Sequence, residues 1–206
     1  MLDRLFKKCL VVSPHPDDSE YSCFGLIKSS KSEFNLLVCS SGGLGDKTNE
    51  HDRVQEVYDF WHNAETPVEI KFYDIVNRDY ADIVKFFDEM IISERIDAIF
   101  VPPEQDTNQE HRIISQICRT SLRDKPCALI EYWTPSTTHE WNPNVWIDID
   151  ENFQQKKQLL LSSFKSQLGK SYFEDQYIDL FHQDWQAFKK GIRKCEKYKI
   201  ITWMCK

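Results

Sequence analysis

With 206 residues, of which 41% are hydrophobic and 29% charged, the chain has the composition of a folded globular protein and enough length for one substantial core. A net charge of −7 argues against the broad basic face that general nucleic-acid binding requires. Charges interrupt Met1 to Lys8 every few residues and no run approaches the ~18 apolar residues of a membrane span, so neither leader nor span is expected and the cytoplasm is the expected compartment.

The first apolar run, Cys9-Leu10-Val11-Val12, reads as a strand, and Pro14-His15-Pro16-Asp17-Asp18 follows it directly. An imidazole with two carboxylates on one loop suits zinc or ferrous iron, the spare carboxylate serving as a base. Next come a helix over about 20–29, a strand over 35–40, the glycine-rich stretch Ser41-Gly42-Gly43-Leu44-Gly45, and a helix over 50–62 that carries Arg53 and Glu56. A strand over 68–73 and a helix over 80–93 lead to a fourth strand, 98–101. Beyond it, Asp106-Thr107-Asn108-Gln109-Glu110-His111 offers His111 as the best third metal ligand, at the start of a helix over 109–122. A strand over 128–133, a polar loop over 134–143 containing His139 and Trp141, and a strand over 145–149 follow. From about residue 152 the pattern is helical, over 152–164 and 172–195. There Phe181, Trp185 and Phe188 recur at spacings of four and three, and basic residues cluster from Lys189 to Lys199.

Short apolar runs alternating with helical patterns predict an α/β domain over 1–206 with a mostly parallel sheet flanked by helices and a helical C-terminal part. In such sheets ligands bind beyond the carboxyl ends of the strands, where strand order reverses. Two loops roughly 90 residues apart can thereby meet in one crevice. The seven cysteines include no C-x-x-C pair, which argues against a disulfide framework or a cysteine zinc knuckle.

Each residue also has a plainer reading. Asp17 can be an N-cap, with Glu20 closing a capping box, and the prolines around His15 can mark a tight turn. Arg53 can hold a substrate phosphate or hydroxyl bidentately, or pair with Glu56 or Asp106. His139 and Trp141 can border the crevice and touch a substrate, or His139 can simply be exposed. His51, His62 and His182 have no evident partner.

These motifs resemble the LmbE/PIG-L family of metal-dependent N-deacetylases, whose first motif is His-Pro-Asp-Asp. Arg53 and Glu56 are similar to its R-x-x-E helix, and Asp106 to His111 to its D-x-H-x-D-H motif. Asn144 to Ile149 resembles its late strand, and Lys157 with Ser166-Gln167 its K-x-x-A-L-x-x-H-x-S-Q helix. The matches run in family order from about residue 9 to 167. Three positions depart: Asn108 replaces a histidine that steadies the oxyanion, Glu110 replaces aspartate, and Phe164 replaces the late histidine.

The resemblance implies an LmbE-type, Rossmann-like fold in which His15, Asp18 and His111 bind the metal and Asp17 is the general base. It implies hydrolysis of the acetamide of an N-acetylated amino sugar or conjugate, in glycan, nucleotide-sugar or thiol biosynthesis. Asn108 can donate a hydrogen bond to the oxyanion but cannot supply a proton. The alternatives are an amidase or esterase acting on a non-sugar N-acyl compound, and a catalytically weak glycan- or nucleotide-sugar-binding protein. The partner implied is a small molecule, with no nucleic acid and no membrane span; a homo-oligomer is compatible with the sequence.

Overall fold

The computed structural model describes residues 5–42, 50–75, 78–184 and 191–203. Its centre is one sheet of strands β1 (Lys8–Ser13), β2 (Glu33–Val38), β3 (Glu69–Phe72), β4 (Ala98–Val101), β5 (Ala128–Tyr132), β6 (Val145–Asp148), the two-residue β7 (Gln183–Asp184) and β8 (Arg193–Thr202). The order is β3-β2-β1-β4-β5-β8-β6, with β7 hydrogen-bonded to β8. The first five strands are parallel, and β8 runs antiparallel to both β5 and β6.

The early strands are nearly continuous apolar runs because helices cover both of their faces. Alternate residues serve opposite layers. Cys9, Val11, Leu36, Phe100 and Ile130 join a core with helices α1 (Asp18–Ser29), α2 (Glu50–Asn63), α5 (Asp150–Ser163) and α6 (Asp175–Phe181). Leu10, Val12, Leu37, Ile99 and Leu129 join a second core under α3 (Tyr80–Ser93) and α4 (Gln109–Leu122). None of the helices among the described residues is long and apolar enough to cross a membrane.

Strand order reverses between β1 and β4, which lie side by side although the chain leaves β1 towards β2. The loops after β1 and β4 therefore open on one crevice.

The C-terminal part corrects the sequence reading. The expected helix over 172–195 is a 3₁₀ turn, Ser171–Phe173, followed by the seven-residue α6, and Arg193 to Thr202 is strand. Lysines made this stretch look like a solvated helix, but its apolar residues alternate: Tyr198 and Ile200 pack in the first core and Ile201 in the second. Trp185, Phe188, Lys189 and Lys190, and most of the glycine-rich stretch (43–45), lie outside the described residues.

Candidate metal centre

A tight turn presents the first loop. Ser13 Oγ donates to His15 O (2.7 Å) and accepts from Ser19 N–H (3.1 Å), while Ser40 Oγ donates to Pro14 O (3.0 Å). Asp17 caps α1, and Asp17 N–H donates to Glu20 Oε2 (3.2 Å) in the expected capping box. Its backbone is unusual for a cap. N-caps ordinarily have extended backbone, whereas Asp17 has φ 118°, a strained region for a side-chain-bearing residue. Capping alone does not account for that strain.

Three atoms converge beside it. Asp18 Oδ2 lies 3.2 Å from His15 Nδ1 and 3.2 Å from His111 Nε2, and the two nitrogens are 3.3 Å apart. Donors about 2.0–2.1 Å from a tetrahedral ion stand about 3.3 Å from one another. The triangle and its nitrogen and oxygen chemistry therefore fit a zinc-sized divalent ion. Among the described residues this is the one group of His, Cys, Asp or Glu able to hold an ion, and all three members are buried.

Each imidazole is backed by its own carboxylate. His111 Nδ1 lies 3.0 Å from Asp106 Oδ2, and His15 Nε2 lies 2.5 Å from Glu110 Oε2. A carboxylate that accepts from one ring N–H fixes the tautomer and leaves the other nitrogen a lone pair. Here the freed nitrogens are His15 Nδ1 and His111 Nε2, the two in the triangle. Asp106 is held in turn: its Oδ2 accepts from Thr134 Oγ1 (2.6 Å) and its Oδ1 from Asn108 N–H (2.8 Å). Asn108 is the N-cap of α4, its side chain accepting from Glu110 N–H at 2.9 Å.

Burial and charge divide the titrating groups. Burial lowers the histidine pKa values, but hydrogen bonds and charge from Asp18, Glu110 and Asp106 outweigh it, raising His15 to about 9 and His111 to about 10. Burial would raise Asp18, yet the two imidazoles hold it far below the usual carboxylate range. Asp17 is pushed up to about 7 by burial and then by Asp18, against the pull of Arg53 and His15. Burial also raises Glu20 to about 7, although Trp61 Nε1–H donates to its Oε1 at 2.6 Å.

The two loops bring His15, Asp18 and His111 together, with Asp17 adjoining Asp18 in sequence, while Asn108 contacts Asp106 and Glu110. Arg53 is buried on α2, its Nη2 donating to Pro16 O (2.6 Å) and lying 3.5 Å from Asp17 Oδ2. Glu56 instead accepts from Ser166 N–H (2.7 Å) and Oγ (2.6 Å), which joins the R-x-x-E and S-Q segments. His139 is exposed. Trp141, expected at a sugar ring, is buried, and its Nε1–H donates to Glu131 Oε2 at 2.7 Å. Phe164 is buried among Phe60 and Phe173, with core packing where the resemblance has a histidine. The roles of Glu110, Asp106 and Thr134 were missed because only the folded loops show which ring nitrogen or carboxylate each one reaches.

Residues 10–122 match the family model described as PIG-L, GlcNAc-PI de-N-acetylase. No curated protein sequence matches the chain significantly. Solved structures resemble it over nearly their full lengths. A 4-carboxy-2-hydroxymuconate hydratase from Pseudomonas putida is 14% identical, with TM-score 0.74 over 97% of this chain and 98% of that one. The N,N'-diacetylchitobiose deacetylase of Pyrococcus horikoshii is 18% identical, with TM-score 0.73 over 96% and 85%. A zinc inhibited form of teicoplanin deacetylase is 10% identical, with TM-score 0.65 over 94% and 98%.

Proposed function

Since the chain belongs to the PIG-L (GlcNAc-PI de-N-acetylase) family, we propose that it is a metal-dependent hydrolase that removes the acetyl group from an N-acetylated amino sugar or sugar conjugate. The observation that carries this reading is the buried triangle of His15 Nδ1, Asp18 Oδ2 and His111 Nε2, with Asp17 beside it. The fold alone leaves the reaction open, since a hydratase and sugar deacetylases share it. The family match and this set of side chains favour amide hydrolysis.

His15, Asp18 and His111 would hold a divalent ion, zinc or ferrous iron. Such an ion supplies a Lewis acid for the acetamide carbonyl and acidifies water. Asp17 takes the proton from the attacking water, its carboxyl buried next to Asp18 and 3.5 Å from Arg53 Nη2. It then returns the proton to the departing amine, so acetate and a free amino sugar leave. Arg53 keeps Asp17 oriented through the Pro16–Asp17 contacts and tempers the rise in its pKa. Asn108 Oδ1 is occupied by the Glu110 N–H, so the amide nitrogen is the end that donates to the oxyanion. His139, exposed in the loop after β5, is assigned to a substrate hydroxyl.

The test is acetate release from a panel of N-acetyl amino sugars and N-acyl amino acids, before and after chelation and with zinc or ferrous iron restored. Metal-dependent release from a sugar is expected. Release confined to N-acyl amino acids, or undiminished by chelation, would contradict the reading.

A further inference from the structure

Glu131 is a fully buried carboxylate on β5 that the proposed chemistry does not use. Burying a charge without partners is costly, and Glu131 draws its donors from both loops that frame His111. Its Oε2 accepts from Trp141 Nε1, 2.7 Å away at the far end of the 133–141 loop. Its Oε1 accepts from Arg119 Nη2 on α4, the helix that carries His111, and lies 3.5 Å from Glu104 N in the loop after β4. Arg119 Nε also faces Glu104 Oε1 at 3.4 Å.

The loop that Trp141 closes is the one that grips Asp106. Thr134 Oγ1 donates to Asp106 Oδ2, Thr137 pairs with Asp106 as a β-bridge, and Thr138 N–H donates to Gln105 O (2.8 Å). Asp106 in turn fixes the His111 ring. A chain of direct bonds therefore runs from Glu131 through Trp141 and its loop to Thr134, Asp106 and His111. The ring of Trp141 stacks on Trp133 (6.4 Å, 21°), which leaves its N–H as the polar tie.

We infer that Glu131 is a positioning residue for the metal centre, its carboxylate clasping the two loops so that Asp106 holds His111 Nε2 at the ion. This inference rests on the proposed metal-binding reading. Outer partners of metal ligands typically change metal affinity about 10–100-fold, and that is the quantity to read. Zinc affinity of the metal-free protein is measured by competition with a chromophoric chelator for wild type, Trp141→Phe and Glu131→Gln. Trp141→Phe keeps a six-membered aromatic ring and removes the N–H together with the fused pyrrole ring, so it tests the tie to Glu131 even if Glu131→Gln does not fold. A core truncation beneath α3, Ile91→Val, serves as a control that lowers melting temperature without touching either loop.

Weakening of about tenfold or more in Trp141→Phe, with Ile91→Val at wild-type affinity, is the expected result. Wild-type zinc affinity in a folded Trp141→Phe protein would overturn the positioning role and leave the metal centre standing. A wild-type protein that binds no zinc or ferrous iron would overturn both.

Discussion

Asp17 and Asp18 are neighbours in sequence and opposite in chemistry. Two buried imidazoles hold Asp18 ionised, whereas Asp17, squeezed by burial and by that same Asp18 charge, is raised to about 7. Pairs of titrating groups whose environments push them apart mark acid–base assignments. Asn108 caps α4 through Oδ1, and the proposed mechanism gives its amide nitrogen a second, separable task as an oxyanion donor. Asn108→Asp keeps an acceptor for the cap and loses the donor. Its turnover should fall by about 10²-fold while melting temperature barely moves; Asn108→Ala should lose the cap as well, at about 1 kcal/mol. Wild-type turnover in Asn108→Asp would assign the residue to the cap alone. His15, Asp17, Asp18 and His111 were legible from spacing and loop position. Glu110 read only as a lengthened aspartate, because its contact with His15 spans 95 residues.

At the scale of elements, the alternation from β1 to β5 was legible because β1, β2, β4 and β5 are mostly apolar and buried on both faces, only the edge strand β3 being half-exposed and charged. The C-terminal strand was not, because β8 is rich in lysine and its buried positions include Glu196. That carboxylate accepts from Gly25 N–H (2.7 Å), Leu26 N–H (2.8 Å), Lys156 Nζ (2.8 Å) and Tyr198 Oη (2.8 Å), fastening β8 to the helix that begins at Asp18. Gly25 is where α1 meets the end of β6: a Cβ there would stand 2.2 Å from Ile149 Cγ2. Alanine in a helix ordinarily gains about 1 kcal/mol over glycine. The clash with buried Ile149 costs about 1–3 kcal/mol or more, so Gly25→Ala should lower the midpoint of denaturant unfolding. A raised midpoint would show that Ile149 yields freely. Removing one partner of a buried ion pair costs about 3–5 kcal/mol, so Lys156→Met should destabilise more than Gly25→Ala, as the same unfolding curves would report.

Across the whole molecule, the reversal of strand order between β1 and β4 brings distant loops into one buried, charge-dense site, and its protons link stability to metal. In the metal-free chain His15 and His111 titrate at about 9 and about 10, above the ordinary 6.5. For raised histidines the stabilisation is complete below about pH 6.5 and is lost as pH rises through the folded values. Metal-free protein should therefore lose on the order of 1 kcal/mol per pH unit per histidine between about pH 7 and 9. A metal ligand must be deprotonated, so binding near pH 7.5 should release about two protons per ion. Calorimetry in buffers of differing ionisation enthalpy counts them, and release of none would remove the histidines from the site.

The most direct test of the proposed hydrolase is the Asp17→Asn protein, loaded with metal and assayed for acetate release from an N-acetyl amino sugar that the wild type cleaves. Asparagine caps a helix almost as well as aspartate but cannot accept the proton. The expected protein is folded, carries one ion per chain and turns over about 10²-fold or more slowly. Wild-type turnover in that metal-replete protein would contradict the role of Asp17 as the base and leave it only a helix cap.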